Sequence, residues 1–376
     1  MLGTGSLVVA SAPIAAAPDS ILRQEQEKPE TNIDDAAKVS RNENSMPGRY
    51  PGKVSRVNHP GAIADNEIVE EEAYAMLEKA MLGLTGEKKL KKAWRQFVSP
   101  GEKIGLKVNP VAGKTLTTSH AVTRSIIRQL ELSGIDRSDI IIWDRRLVQL
   151  HETGYTEENY PGIKVMGTEQ QDESGSYYDA DGIMYGEKMI DKDWYYWADV
   201  EGEYDEYTMP YMVNGGKYSY FTGIVTKELD KIINVPILKN AGATVTNALK
   251  NLAYGSVTNT GRLHAKLWGE TCAHVCAFAP LRDKVVLNIV DGLKGCFNGG
   301  PGANPQFFCN YDTMLVGTDP VAVDRIAHEI VVAKRIEEGI QKTDNPRSSA
   351  FLDIAESLEL GVSKRALIEL NEINMT

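Results

Sequence analysis

Three short apolar runs in this chain close on the same kind of residue. IGLKVN ends on Lys107 and Asn109, DIIIWD on Asp144, and KIINVPILKN on Lys239 and Asn240. Between the first two lies SHAVTRSIIRQLELSG, whose apolar residues recur at helical spacing from near Ser119 to a stop at Gly134. Strand, helix and strand in quick succession make a βαβ unit, and a chain that repeats it must build a largely parallel sheet covered by helices. The alternation resumes after KIINVPILK with TNALKNLA, VVLNIVDG, TMLVGT and DPVAVDRIAHEIVVAKR. The expected fold class is α/β, a mostly parallel sheet with helices on both faces.

Charge divides the chain. Residues 151–215 hold 16 Asp/Glu against 3 Lys, a net of −13, and 10 of the 16 tyrosines, while the remainder carries +2. Within that segment DWYYWADVEGEYDEYTMPYMVNGGKYSYF alternates enough for short antiparallel strands with glycine turns. It reads as an acidic, Tyr-rich insertion, 151–215, in an α/β domain whose two parts are 53–150 and 216–376. A net charge of −11 argues against nucleic acid as a partner. No stretch has the roughly 20 continuous apolar residues of a membrane span. MLGTGSLVVASAPIAAAPDS resembles the second half of a twin-arginine export signal, with small residues at Ala15, Ala16 and Ala17. Residues 1–17 are therefore expected to be a partial signal peptide and 18–52 a polar linker, which implies a periplasmic or extracytoplasmic location.

In open parallel sheets, ligands collect where strands hand over to helices. The polar residues expected there are Lys107, Asn109, Asp144, Lys239, Asp291 (after VVLNIV) and Asp319 (after TMLVGT). Any one alone is more often a cap or turn residue, and Asp319-Pro320 reads as a helix cap with proline at the first helical position. Five strand ends closing on Lys, Asn or Asp nevertheless point to one shared polar edge. The two Lys-Asn pairs, 239–240 and 250–251, flank a turn of small residues. Asn247, Lys250 and Asn251 are spaced i, i+3, i+4, and a helix starting near Thr244 would aim its amides at the strand edge. This favours a carboxylate or phosphate ligand, or a structural carboxylate such as Asp144 or Asp291. Lys107, Asn109, Lys239, Asn247, Lys250, Asn251, Asp319 and Asp324 are the candidate ligand-binding residues. Asp144, His264 and Asp291 are the candidates for proton transfer or a divalent metal.

Cys272, Cys276, Cys296 and Cys309 fall close together in sequence. They read as one or two disulfides or as buried thiols, and a four-thiolate metal site is the sharper alternative. Their spacing matches no recognised zinc or ferredoxin pattern. VAGKTLTT lacks the first glycine of a phosphate loop, and DADG lacks the remaining ligands of a calcium loop.

Taken in order, SPGEKIGLKVNP, IINVPILKNAGATVTNALKNLAYG, GRLH, VVLNIVDGLKG and VGTDPVAVDRIAHEI resemble the DUF362 family, bacterial and archaeal proteins of which some are fused to ferredoxin-like modules. The resemblance covers roughly 53–150 and 216–335 and implies that Lys107, Asn109, Asp144, Lys239, Lys250, Asn251, His264, Asp291, Asp319 and Asp324 are recurring polar positions. The chain has no C-x2-C-x2-C-x3-C run, so the likeness does not extend to an iron–sulfur cluster, and it supplies neither cofactor nor reaction. Three readings stand. One is an exported α/β enzyme acting on a small or glycan-derived anion. A second is a non-catalytic extracytoplasmic binding protein that uses its tyrosines as a contact surface. The third is a metal or redox protein built on the cysteines.

Overall fold

The structure is a computed structural model and describes residues 28–202, 216–241, 244–343 and 346–376. The expected signal peptide, 1–17, lies outside the described residues. Residues 28–52 were expected to be a linker, and from Lys28 onward they pack on the domain. Arg282 collects the carbonyls of Ala36, Val39 and Ser40 at 3.0–3.2 Å, and Met46 is buried.

The first part of the domain runs β1 (Lys53–Asn58), a small hairpin of β2 (Ile63–Ala64) and β3 (Glu67–Ile68), α1 (Glu70–Thr85) and α2 (Leu90–Trp94). It continues through β4 (Ile104–Lys107), α3 (His120–Leu132), β5 (Ile140–Arg146), α4 (Leu147–Glu152) and β6 (Lys164–Glu169). A second hairpin pairs β7 (Ile190–Trp197) with β8 (Tyr218–Thr222). Next come β9 (Lys231–Asn234), β10 (Ile237–Ala241), β11 (Thr244–Thr246) and α5 (Ala248–Ser256). Three short helices follow, α6 (Leu263–Lys266), α7 (Trp268–Ala277) and α8 (Ala279–Arg282). The chain finishes with β12 (Val285–Cys296), β13 (Phe308–Gly317), α9 (Pro320–Glu337), α10 (Ala350–Ser357) and β14 (Glu369–Asn374).

The main sheet runs β14-β1-β13-β12-β9-β4-β5-β6, with β10 beside the far half of β12 and β11 beside β10. Pairing is parallel from β12 through β9, β4 and β5 to β6, and again between β14 and β1. Only β13 and β11 run against their neighbours. The sheet is thus mixed but mostly parallel, as the βαβ pattern required. Alternate residues of each central strand serve opposite helix layers. Ile104, Leu106, Ile142 and Ile233 pack with α1 and α3, whereas Ile141, Trp143 and Ile232 pack with α5, α7 and α9. Each such side chain contributes about 1.5–3 kcal/mol on burial, which is why these strands read as continuous apolar runs.

Two boundaries differ from expectation. Strand β6, inside the expected insertion, joins the sheet edge, and Tyr155 and Tyr160 pack in the α3 layer, so 151–169 extends the domain. Thr244–Thr246, expected to begin a helix, instead pairs antiparallel with β10, in keeping with the strand preference of a Thr-Val-Thr run.

Candidate functional site

Register builds the site. Lys107 at the end of β4 lies level with Trp143 of β5 and Asn234 of β9, and Asn234 is level with Asn288 of β12. One lateral row across four strands therefore reads Trp, Lys, Asn, Asn on the face covered by α5. Such groups, buried between layers, must satisfy one another, and they do so through Asn251 of α5. Its Oδ1 accepts from Lys107 Nζ (3.1 Å) and Asn109 Nδ2 (2.9 Å), while its Nδ2 donates to Asn234 Oδ1 (2.8 Å). Asn234 passes a bond on to Asn288 (2.9 Å), which donates to the Thr318 carbonyl (3.3 Å). At the other end Lys239 Nζ donates to Asn109 Oδ1 (3.0 Å). Every amide in this chain has its orientation fixed by the next.

Lys107 also donates to Asp144, an ion pair whose two side chains are almost wholly buried. Burial pulls the Lys107 ammonium down and the Asp144 carboxylate beside it opposes that pull. Burial, with Lys250 as the next contributor, brings Lys239 down to about 7.

Lys250, one residue before Asn251, is buried without such company. Its ammonium lies 5.6 Å from the Tyr254 ring and 5.8 Å from the Trp268 ring. Among the described residues no hydrogen bond or ion pair holds it, and burial lowers its pKa. It borders a cavity of about 100 Å³ shared with Lys107, Asn109, Asp144, Arg145, Asn251 and His264, and Pro301, between β12 and β13, also lines it. Arg145 is held by Thr260 and by Glu169 (3.5 Å), itself a buried carboxylate pushed up by desolvation. The His264 ring is exposed on one side and packs on Tyr254 at 4.4 Å, and partial desolvation, followed by Lys250, lowers its pKa. The walls thus bring three basic side chains, Lys107, Lys250 and Arg145, to a small space in which Asp144 is the one acidic group among the described residues. Such a space suits an anion and provides Asp144 and His264 as proton carriers.

Of the expected site residues, Lys107, Asn109, Asp144, Lys250, Asn251 and His264 meet at this cavity, and Lys239 stands behind Asn109. Others are placed elsewhere. Asp291 borders a neighbouring cleft of about 720 Å³ and accepts from the Ser119 amide (2.7 Å) at the start of α3, and burial raises its pKa. Asp324 accepts from the Ala248 and Leu249 amides (2.7 and 3.0 Å), so the N-terminus of α5, expected to face a ligand, is satisfied by a carboxylate from α9. Asn247 is buried in the N-cap position before α5, off the cavity. Asp319 caps α9 through the Val321 and Ala322 amides and holds Gly52 and Val362, which makes it a structural residue.

The cysteines do not converge. Cys272 and Cys276 sit one turn apart on α7, whereas Cys296 and Cys309 lie on β12 and β13, and all four thiols are free. Among the described residues no group of three or more His, Cys, Asp or Glu is arranged to hold a metal ion. The tyrosines of the second hairpin pack on one another, Tyr195 tilted against Tyr218 at 4.9 Å and Tyr218 stacked on Tyr220 at 5.9 Å. Asn234, Asn288, Arg145, Tyr254 and Gly255 join the site without having been expected there. Asn234 and Asn288 each interrupt an apolar strand, and a buried amide in such a run needs a partner. That signal was present in the sequence.

Comparison with known families matches residues 104–329 to the profile of the domain of unknown function DUF362, more than half of the chain. No curated protein matches the chain. Among solved structures, a crystal structure of a Thermotoga maritima protein from a structural genomics consortium is similar, with 8% identity and a TM-score of 0.39, over 70% of this chain. The chain spans 59% of that protein's length. Among the described residues no helix is long and apolar enough to cross a membrane.

Proposed function

The chain belongs to the DUF362 family, and from that premise we propose that it is an enzyme whose cavity beside Lys250 takes up a small carboxylate or phosphate, with Asp144 and His264 handling protons. One observation carries the reading. Lys250 is a buried ammonium with no hydrogen bond or ion pair among the described residues, in a wall already carrying Lys107 and Arg145. A buried charge compensated only by aromatic faces is costly to the folded state, and strongly perturbed titratable groups cluster at functional sites. Lys107, by contrast, has its counter-ion in Asp144, and the amide chain through Asn251 holds that pair in place, which is the preorganisation a charged ligand requires. An extracytoplasmic location, motivated by residues 1–17, is part of the same proposal and is tested by fractionating the native host.

The site is tested by titration calorimetry with inorganic phosphate and with glycolate, on the wild type and on Lys250→Met. Saturable binding to the wild type, weakened at least tenfold in the variant, is expected. Equal heats for the two proteins would sink the assignment.

A further inference from the structure

We infer that the ligand of this site is a 2-oxo acid and that Lys250 binds it covalently as an imine, an inference that rests on the anion-site reading above. Three lysines lie within or beside the cavity and only one is positioned to react. Lys107 spends its protons on Asp144, Asn251 and the Val108 carbonyl. Lys239 is wholly buried behind Asn109. Lys250 borders the cavity and no acceptor holds its amine among the described residues.

The surroundings are those of an imine-forming lysine. Desolvation lowers the pKa of Lys250, with Cys272 the opposing influence, and the amine borders the cavity with no acceptor among the described residues, so its deprotonated fraction can act as a nucleophile. The faces of Tyr254 and Trp268 would support the protonated imine as they support the ammonium. Arg145, whose five donors outnumber its bonds to Thr260 and Glu169, remains to receive a carboxylate, with the Lys107 charge beside it. The cavity of about 100 Å³ is small, which favours a compact ligand with carbonyl and carboxylate adjacent. A 2-oxo acid meets that condition.

The step balances without a co-reactant. The Lys250 nitrogen adds to the keto carbon, forming the C–N bond, and the carbonyl oxygen takes up a proton. His264 is placed to move protons, because Nδ1 bonds the Thr260 carbonyl (3.1 Å) and Nε2 keeps its lone pair. The C–O bond then breaks, the oxygen departs as water with the two hydrogens lost from nitrogen, and C=N replaces C=O with no change of oxidation state.

The test uses the full wild-type chain, glyoxylate as probe and sodium cyanoborohydride as trap, followed by peptide mass mapping. Carboxymethylation of Lys250 ahead of exposed lysines such as Lys88 is expected, with loss of that modification in Lys250→Met. Labelled Lys88 with unlabelled Lys250 overturns the inference. Glycolate, which has the carboxylate but no carbonyl, separates the two claims. If glycolate binds and Lys250 stays unlabelled, the anion site stands and the imine falls. If glycolate does not bind and Lys250 stays unlabelled, both fall. Labelling of Lys250 without glycolate binding would show a reactive amine with no carboxylate site, which overturns the anion-site reading and the 2-oxo acid assignment that rests on it.

Discussion

Gly255 presses against the ammonium end of Lys107, leaving no room for a side chain. A β-carbon at position 255 would lie 2.5 Å from Lys107 Nζ, in hard contact with Lys107 Cε, and 3.2 Å from Asp144 Oδ1. Glycine inside a helix ordinarily costs about 1 kcal/mol relative to alanine. Here the close approach lets α5 lie flat on the polar row, so the usual sign should reverse. Gly255→Ala is expected to destabilise the protein by about 3 kcal/mol, from overpacking and displacement of a buried charge. Urea unfolding checks it, and a variant as stable as the wild type would show that Lys107 has another place to go.

The Lys107–Asp144 pair predicts an asymmetry. Asp144→Ala leaves the Lys107 ammonium buried without its counter-ion and is expected to cost about 3–5 kcal/mol, whereas removing both charges with Lys107→Met and Asp144→Leu should cost much less. A double-mutant cycle by urea denaturation measures the coupling. Additive losses would mean that the two groups do not sense each other.

Much of this arrangement could be read from the sequence, because strand–helix alternation leaves few options and the polar residues closing each strand had to gather at one edge. Lys107 and Asp144 were recognisable on that ground, and Lys250 from its helical spacing with Asn247 and Asn251. Asp324 was singled out as a ligand-binding candidate, but its capping role was not recognisable, since it reaches the start of α5 from α9, 76 positions away, and no local pattern signals a cap supplied from that distance. Asp291 was misplaced for a related reason. It does follow an apolar run, but β12 continues past it to Cys296, so its carboxylate meets the Ser119 amide and not the cavity. Asn234 and Asn288 are single amides within apolar strands, and the role of each depends on the register between β9 and β12, which no local pattern encodes.

Lys239 makes stability depend on pH. Its folded pKa is lowered to about 7, against an ordinary value of 10.5, chiefly by burial. Between those values the unfolded chain binds more protons than the folded one, so stability rises with pH across the window and is flat with respect to this group below it. The expected gain between pH 7 and 10 is on the order of a few kcal/mol. Lys239→Met should flatten the rise in urea-melt stability over that range. An identical slope in wild type and variant would place the titration elsewhere.

Asp324 anchors a helix through two backbone amides, yet burial raises its pKa to about 7. Asp324→Ala orphans both donors and is expected to cost about 2–4 kcal/mol. Because α5 carries Lys250 and Asn251, the loss should extend to function: phosphate and glycolate affinity should fall although Asp324 itself does not line the cavity. Calorimetry alongside denaturation tests both effects. Unchanged affinity in a destabilised variant would show that the position of α5 does not depend on this cap.

Lys250→Met is the opposite case, in which stability and function should part. The lysine gains no hydrogen bond or ion pair among the described residues, and burial opposes its charge, so in the absence of ligand its ammonium is a cost to the folded state. Methionine has similar length, and its thioether suits the faces of Tyr254 and Trp268. The variant is therefore expected to unfold at the wild-type temperature or about 2 °C above it, with phosphate and glycolate binding lost. A residue kept for the fold would show the reverse, a lower melting temperature with affinity intact. Differential scanning calorimetry on the ligand-free proteins, paired with titration, distinguishes the two: a fall in melting temperature of several degrees would make Lys250 a structural residue and remove the reason to place an anion beside it.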